Sequence, residues 1–172
     1  TQMGSVMATA EATTSWVFNS PVELGLRSLC VLVELDPRRH DLQRLVLLDY
    51  LLVHSADVDG GPESLHPAVP QRGAEVLVRR AVLEPGLALY ARRGLVSMTM
   101  DTNGFSYGAT DRGGCFLDTL RSRYVEALRI RASWIAASFG ELETSEISRY
   151  VNTELDRWGG QFAEQRGSGR TQ

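Results

Sequence analysis

The chain has 172 residues, of which 43% are hydrophobic and 23% charged, and its formal net charge is −3. This composition is typical of one soluble globular domain with its own core, and the acidic balance argues against a chain that binds nucleic acid through its overall charge. All eighteen basic residues are arginines, whose planar guanidinium groups suit carboxylate or phosphate partners.

The N-terminal segment carries no targeting signal. Residues 1–14 lack the basic and apolar regions of a signal peptide, and no apolar run reaches the ~18 residues of a membrane span. We therefore expect a cytoplasmic protein that begins with a disordered leader over residues 1–15. Without a secretion signal, Cys30 and Cys115 are predicted to be free thiols.

The first predicted helix has a clear start. Ser20 can cap it, Pro21 suits its first position, and Glu23 completes a capping box. Apolar residues then occur almost all round the helix until residues 36–37, so we expect this helix to be well buried.

Two further helices are predicted, separated by a long loop. Asp41 can cap the second helix, whose apolar residues recur at helical spacing until about Ser55. Residues 56–70 contain several Gly and Pro residues and no periodicity, which predicts a loop. The third helical region covers residues 71–93 and should break or kink at Pro85, because proline has no N–H to donate inside a helix.

A β-hairpin is predicted over residues 95–110. Apolar and polar residues alternate there, and Asn103-Gly104 is a strong signal for a two-residue turn because both residue types tolerate positive φ.

The C-terminal part is predicted to be helical. One helix should open at Thr110 and continue to about Ile135, and a last helix should begin near Thr144. Its apolar seam needs a partner within the chain or outside it. Residues 165–172 are expected to be disordered.

The order helix, helix, helix, hairpin, helix is that of a winged-helix domain. We therefore predict an α+β fold, mostly helical, with a winged-helix-like core over residues 16–113 and a two-stranded wing. The helices over residues 114–164 are expected to pack on this core or on a partner.

Residues 48–67 combine polar side chains with a Gly- and Pro-rich turn directly after an apolar helix. The distinctive residues are Asp49, Tyr50, His54, Gly61, Pro62 and His66. Eleven residues separate the two His, which lie in different elements, and this spacing matches no metal site. The Gly-Gly-Pro segment lacks the Lys and Ser/Thr of a P-loop. We interpret these residues as structural and predict no catalytic, metal or cofactor site. The alternative is a small hydrolase built from the two His and Asp49.

The third helical region is basic. The candidate contacts to a partner or to a DNA backbone are Arg72, Arg79, Arg80, Arg92 and Arg93, with Asn103 in the hairpin. In a DNA-binding winged helix this would be the recognition helix. The long connection between helices two and three argues against base readout, since a helix-turn-helix uses ~3–4 residues there. Contact with a partner or with phosphates is therefore favoured.

Five blocks of the sequence are distinctive: FNSPVELGLR at 18–27, DLQRLV at 41–46, DYLLVHS at 49–55, GPESLHP at 61–67 and the QRxxE…LVRR pattern at 71–80. Together these blocks resemble the middle component of bacterial ABC-three-component systems, the Lamassu-type defence operons. The resemblance covers about residues 17–139.

The resemblance implies a non-enzymatic adaptor without cofactors. Such a subunit sits between an SMC- or Rad50-like ABC ATPase and an effector, often a nuclease, in a complex that responds to foreign DNA from phages or plasmids. The partners would be these two proteins, with DNA reached through the complex. The alternative is a freestanding winged-helix transcriptional regulator that binds its own promoter.

Overall fold

The computed structural model describes residues 19–67 and 72–168, and it describes their side chains except at 72–75 and 158–168. These residues form six α-helices and one three-stranded antiparallel sheet, so the predicted α+β, mostly helical class is confirmed. The elements are α1 (Pro21–Glu34), β1 (His40–Asp41), α2 (Leu42–Val53), α3 (Arg72–Arg92), β2 (Val96–Asp101), β3 (Gly104–Ala109), α4 (Asp111–Thr119), α5 (Arg123–Phe139) and α6 (Thr144–Ser168).

The sheet has the topology of a winged helix. The short β1 lies between α1 and α2 and pairs with β3, so the strand order is β1-β3-β2. The hairpin pairs without interruption from Val96 with Ala109 to Asp101 with Gly104. The sequence did not predict β1, because two residues are too few to show an alternation.

The turn of the hairpin lies one residue earlier than predicted. Asp101 pairs with Gly104, so Thr102 and Asn103 form the turn. Gly104 has a φ of 110° and takes the positive angle that the turn requires, while no described non-glycine residue has a positive φ. The Asp101 carboxylate accepts a hydrogen bond from the Asn103 N–H at 2.7 Å and holds this turn.

Helix α1 begins as predicted, but its capping box is only half formed. The Ser20 hydroxyl accepts a hydrogen bond from the Glu23 N–H at 3.3 Å. The Glu23 carboxylate does not return to the cap and instead accepts a hydrogen bond from the Tyr124 hydroxyl of α5. This contact joins α1 to α5.

Of the predicted break or kink at Pro85, the break is wrong, because α3 runs continuously through this residue. Pro85 is exposed on the side of α3 that faces away from the core, where the loss of one backbone hydrogen bond costs least. The next residue, Gly86, packs closely on α1, and a Cβ there would lie 2.5 Å from the Pro21 carbonyl oxygen. Packing against α1 therefore outweighs the local preference of Pro85.

The single long helix predicted after Thr110 is wrong, because the structure has two separate helices there, α4 and α5. Thr110 caps α4 by accepting from the Gly113 N–H at 3.1 Å, and Ser122 caps α5 by accepting from the Val125 N–H at 3.2 Å. A second cap within the apolar pattern restarts the helix and lets α5 turn back to pack on α1 and α2.

Helix α6 begins at Thr144 as predicted and packs on α2. It extends to Ser168, so the tail predicted as disordered over 165–172 is helical up to that residue. Residues 169–172 and the predicted leader over 1–15 lie outside the described residues.

Two other predictions concern the cysteines and membrane-spanning helices. Cys30 is buried and Cys115 exposed, and both are free thiols as predicted. Among the helices described, none has the length and apolar character needed to cross a membrane.

Candidate partner-binding surface

Asp49 lies at the centre of the fold and joins three helices. Its side chain on α2 is 2% exposed and accepts hydrogen bonds from the Arg27 Nε of α1 at 2.6 Å and the Arg27 Nη2 at 2.8 Å. The Nη1 of Arg79 on α3 donates to the Asp49 Oδ2, the same oxygen that accepts from the Arg27 Nη2. The most distinctive motif of the sequence therefore holds α1, α2 and α3 together.

The charges of this cluster offset one another in the interior. Burial alone would raise the pKa of Asp49, but the Arg27 and Arg79 guanidinium groups hold it below its ordinary value. Burial would likewise lower the pKa of Arg27, and Asp49 raises it above the ordinary value. Glu23, whose pKa is raised chiefly by burial, adds a second acid near Arg27. One buried acid, Asp49, and one half-buried acid, Glu23, thus accompany two buried guanidinium groups, and buried charges require such pairing.

The aromatic and histidine residues of the motif pack around this cluster. Tyr50 is fully buried, and the His54 ring lies 4.9 Å from the Tyr50 ring and 6.4 Å from the His66 ring between centroids. Burial, reinforced by Arg27 and Arg79, lowers the pKa of His66 to about 4. His66 is therefore neutral at pH 7.

The loop after α2 is tied back onto the fold. The Leu65 and His66 N–H groups both donate to the Val53 carbonyl oxygen, at 3.0 and 3.1 Å. A Cβ on Gly61 would lie 2.0 Å from the Ser55 carbonyl oxygen, so only glycine fits there. Pro62 follows it and is half-buried.

These contacts support a structural role for the motif. Two guanidinium groups bind the Asp49 carboxylate, an ion-pairing role that needs no catalytic function. No group of three or more His, Cys, Asp or Glu in the described ranges is placed to hold a metal ion.

The basic residues of the third helix separate into two groups. Arg80, Arg92, Arg93 and, in the hairpin turn, Asn103 are exposed. Arg79 is 2% exposed and bound to Asp49, which corrects its prediction as a surface contact. Arg72 begins α3, and its side chain lies outside the described residues.

The hairpin exposes an apolar face. Met98, Met100 and Phe105 are 46%, 72% and 49% exposed, and Met100 lies directly opposite Phe105 across the two strands. We call these three residues the apolar wing face. The other face is polar, because the Arg39 guanidinium there donates to the Ser97 and Ser106 hydroxyls at 2.7 and 3.2 Å.

A groove lies between the wing, α3 and the start of α2. This wing groove has a volume of about 380 Å³. Its lining residues include Leu42, Arg80, Glu84, Asn103 and Phe105. Leu77, about one helical turn before Arg80 and two turns before Glu84, lies on the same face of α3 by helical spacing and is 74% exposed.

The groove and the apolar wing face suit a protein partner better than DNA. The acidic Asp41 and Glu84 line the groove beside Arg80, and Asp101 lies at the end of β2. Carboxylates at this place repel phosphates, whereas exposed apolar side chains beside mixed charges are typical of protein interfaces.

Only weak local signals in the sequence indicate the interior arginines. Arg27 lies within a stretch that is apolar all round, where a charged residue indicates a buried ion pair. Arg44 donates to the carbonyl oxygens of Phe139 and Gly140 at 3.1 and 2.9 Å, at the C-terminal end of α5. No local pattern predicts that contact, because its partners are 95 and 96 residues away.

Comparison with known proteins places these observations in a family. The family model described as ABC-three component (ABC-3C) system Middle Component 2 matches residues 17–161. Neither the curated proteins nor the solved structures include a match. The match covers α1 to most of α6, and so it includes the Asp49 cluster, the wing groove and the apolar wing face.

Proposed function

The chain belongs to the ABC-three component system Middle Component 2 family, and from that premise we propose that it is a non-enzymatic accessory subunit joining the ABC ATPase of its system to an effector. In this proposal the system is of the Lamassu type. The ATPase is SMC- or Rad50-like, the effector is a nuclease, and the complex responds to foreign DNA in the cytoplasm. The membership itself supports an accessory role among the components of such a system.

The observation that carries the proposal is the exposed apolar wing face beside the wing groove. Burying a large apolar side chain contributes roughly 1.5–3 kcal/mol, and Met98, Met100 and Phe105 keep about half or more of their surface in water. A contiguous apolar patch with a mixed-charge groove beside it supports a protein-docking role. We assign this surface to the ATPase.

Co-expression tests the proposal directly. The chain is produced with the ATPase and effector genes of its own operon, one of the three is tagged, and the purified assembly is weighed by mass photometry. We expect a stable complex that contains all three proteins. Separate elution of this chain at micromolar concentration would refute the accessory role.

Paired variants test the docking surface. Met100→Glu with Phe105→Ser removes apolar area from the wing, and we expect it to weaken ATPase binding at least tenfold. The matched control is Ile130→Glu, because Ile130 on α5 is similarly exposed at 64% but lies away from the wing. Equal loss of ATPase binding in both variants, with melting temperatures unchanged, would show that the wing is not a specific part of the interface.

The second candidate function is a freestanding winged-helix transcriptional regulator. The topology and the exposed Arg80, Arg92 and Arg93 favour it. It requires specific binding of the chain alone to its own promoter, with an affinity that falls steeply with salt and with Arg92→Ala plus Arg93→Ala. No preference for promoter over unrelated DNA would exclude it.

A further inference from the structure

Strand β2 forms an open edge of the sheet. The order β1-β3-β2 leaves one side of β2 without a neighbouring strand among the described residues. Its six residues pair with β3 without a bulge, and residues 98–101 are exposed. Natural edge strands usually carry a Lys, a Pro or a bulge that prevents pairing with another chain. Strand β2 has none of these, and its only charge is Asp101 at the end.

We propose that β2 pairs antiparallel with the β2 strand of a second copy of this chain, so that two sheets join into one of six strands. The two-fold axis passes through Thr99, which places Thr99 opposite Thr99 and Met98 opposite Met100. Ser97 then lies opposite Asp101. An interface of this kind is self-complementary, as two-fold symmetry requires.

The sequence of β2 fits this arrangement on both faces of the sheet. Val96, Met98 and Met100 alternate with polar residues, so the two-fold pairing keeps apolar side chains on one face and hydroxyl groups on the other. Four methionine side chains and two Phe105 rings then form one apolar strip. A slip by one residue would place Met opposite Thr and mix the two faces.

The charges also favour this register. With Thr99 on the axis, the two Asp101 residues are four positions apart along the strands, or about 13 Å at ~3.3 Å per residue. This separation exceeds the Debye length of about 8 Å at physiological salt. An axis at Met100 would bring the two carboxylates to about half that distance. The proposal concerns the edge of β2 and the oligomeric state, whereas the proposed function uses the apolar wing face. Because Met98 and Met100 belong to both, the Thr99→Cys cross-link, which leaves both methionines in place, tests the edge pairing separately.

Cysteine cross-linking tests both the contact and its register. The exposed Cys115 is first replaced by Ser, which leaves only the buried Cys30. Directly opposed residues on paired strands have Cα atoms about 4.5–5.5 Å apart, within the range that a disulfide spans. We expect Thr99→Cys to give a covalent dimer under mild oxidation. The matched control is Ser145→Cys, at an exposed position near the start of α6, and it should stay monomeric in the same gel.

Mixed variants determine the register. Met98→Cys and Met100→Cys should each cross-link poorly alone, since each faces the other residue, and they should cross-link efficiently when the two proteins are mixed. Efficient self-linking of Met98→Cys with no linking of Thr99→Cys would overturn the stated axis.

Light scattering measures the unmodified protein. We expect the mass to rise with concentration from 19.0 kDa toward twice that value, and we expect Met100→Lys to keep the protein monomeric while Ile130→Lys does not. A constant monomer mass at every soluble concentration, without cross-linking of Thr99→Cys, would overturn the proposal. Cross-linking of Thr99→Cys to another subunit of the system in place of a second copy would also overturn it, in favour of a partner strand on this edge.

Discussion

Replacing Asp49 by Asn tests whether the three-helix core depends on one carboxylate. The substitution keeps the size of the side chain and removes its charge. It leaves Arg27 and Arg79 buried at 0% and 2% exposure, without the acid that both contact. Breaking a buried ion pair by removing one partner costs about 3–5 kcal/mol, because the remaining charge stays in the interior.

This cost is large compared with the stability of a typical domain, about 5–15 kcal/mol. A domain of this length loses about 2–4 °C in melting temperature for each kcal/mol, so we expect Asp49→Asn to melt roughly 6–20 °C lower. Urea unfolding followed by tryptophan fluorescence gives the free energy of unfolding at 25 °C.

The matched control is Asp118→Asn. Its carboxylate is 67% exposed and pairs with Arg129 at 2.9 Å on the surface, where an ion pair contributes only about 0–1 kcal/mol. We expect the control to unfold within ~1 kcal/mol of the unmodified protein. The reasoning is refuted if the two variants have equal stabilities, because removing the buried charge of Asp49 would then cost no more free energy of unfolding than removing the exposed charge of Asp118.

Two further predictions concern buried histidines and helix packing. Burial and the nearby Arg44 and Arg38 lower the pKa of His40 to about 4, so below pH 6.5 the unfolded chain binds a proton that the folded chain does not. The contribution of neutral His40 to the free energy of unfolding should be complete above pH 6.5 and decrease as the pH drops from 6.5 toward 4. Urea unfolding at several pH values measures this dependence, and an equally steep dependence in His40→Gln would contradict the prediction. Gly86→Ala should overpack the contact between α1 and α3, destabilise the protein by about 1–3 kcal/mol and so lower its melting temperature. Gly114→Ala should raise the melting temperature, because a Cβ at Gly114 meets nothing within 4 Å and alanine favours the helix. Thermal unfolding of both variants decides this, and a stabilised Gly86→Ala would show that α1 and α3 can separate at no cost.

Local patterns in the sequence predicted most helices and the hairpin, because caps and periodicity act over a few residues. Ser20, Asp41 and Thr110 each cap the helix that follows. The errors arose where distant packing decides the outcome. The close contact of Gly86 with α1 keeps α3 continuous through Pro85, and no local rule contains that contact.

The same limit applies to the candidate surface. Arginines close together in the sequence were treated as one basic patch, yet Arg79 points into the core and Arg80 into the wing groove. Adjacent helix positions differ by about 100° in direction, so the buried face must be known before either side chain is assigned a role. The sequence predicts a structural role for Asp49, which its contacts with Arg27 and Arg79 support, but no local pattern identifies these two partners.

The hydrogen bonds that close the loop after α2 change the effective length of the connection to α3. Because Leu65 returns to Val53, the segment between them is a closed Ω-loop, and only residues 67–71 remain as the covalent link from the last pinned residue to α3. The two helices are therefore joined by a tether close in length to that of an ordinary helix-turn-helix, with a folded insertion attached to its start. The hydrogen bonds at the neck of the loop, and not the number of residues inside it, therefore set the spacing of the helices.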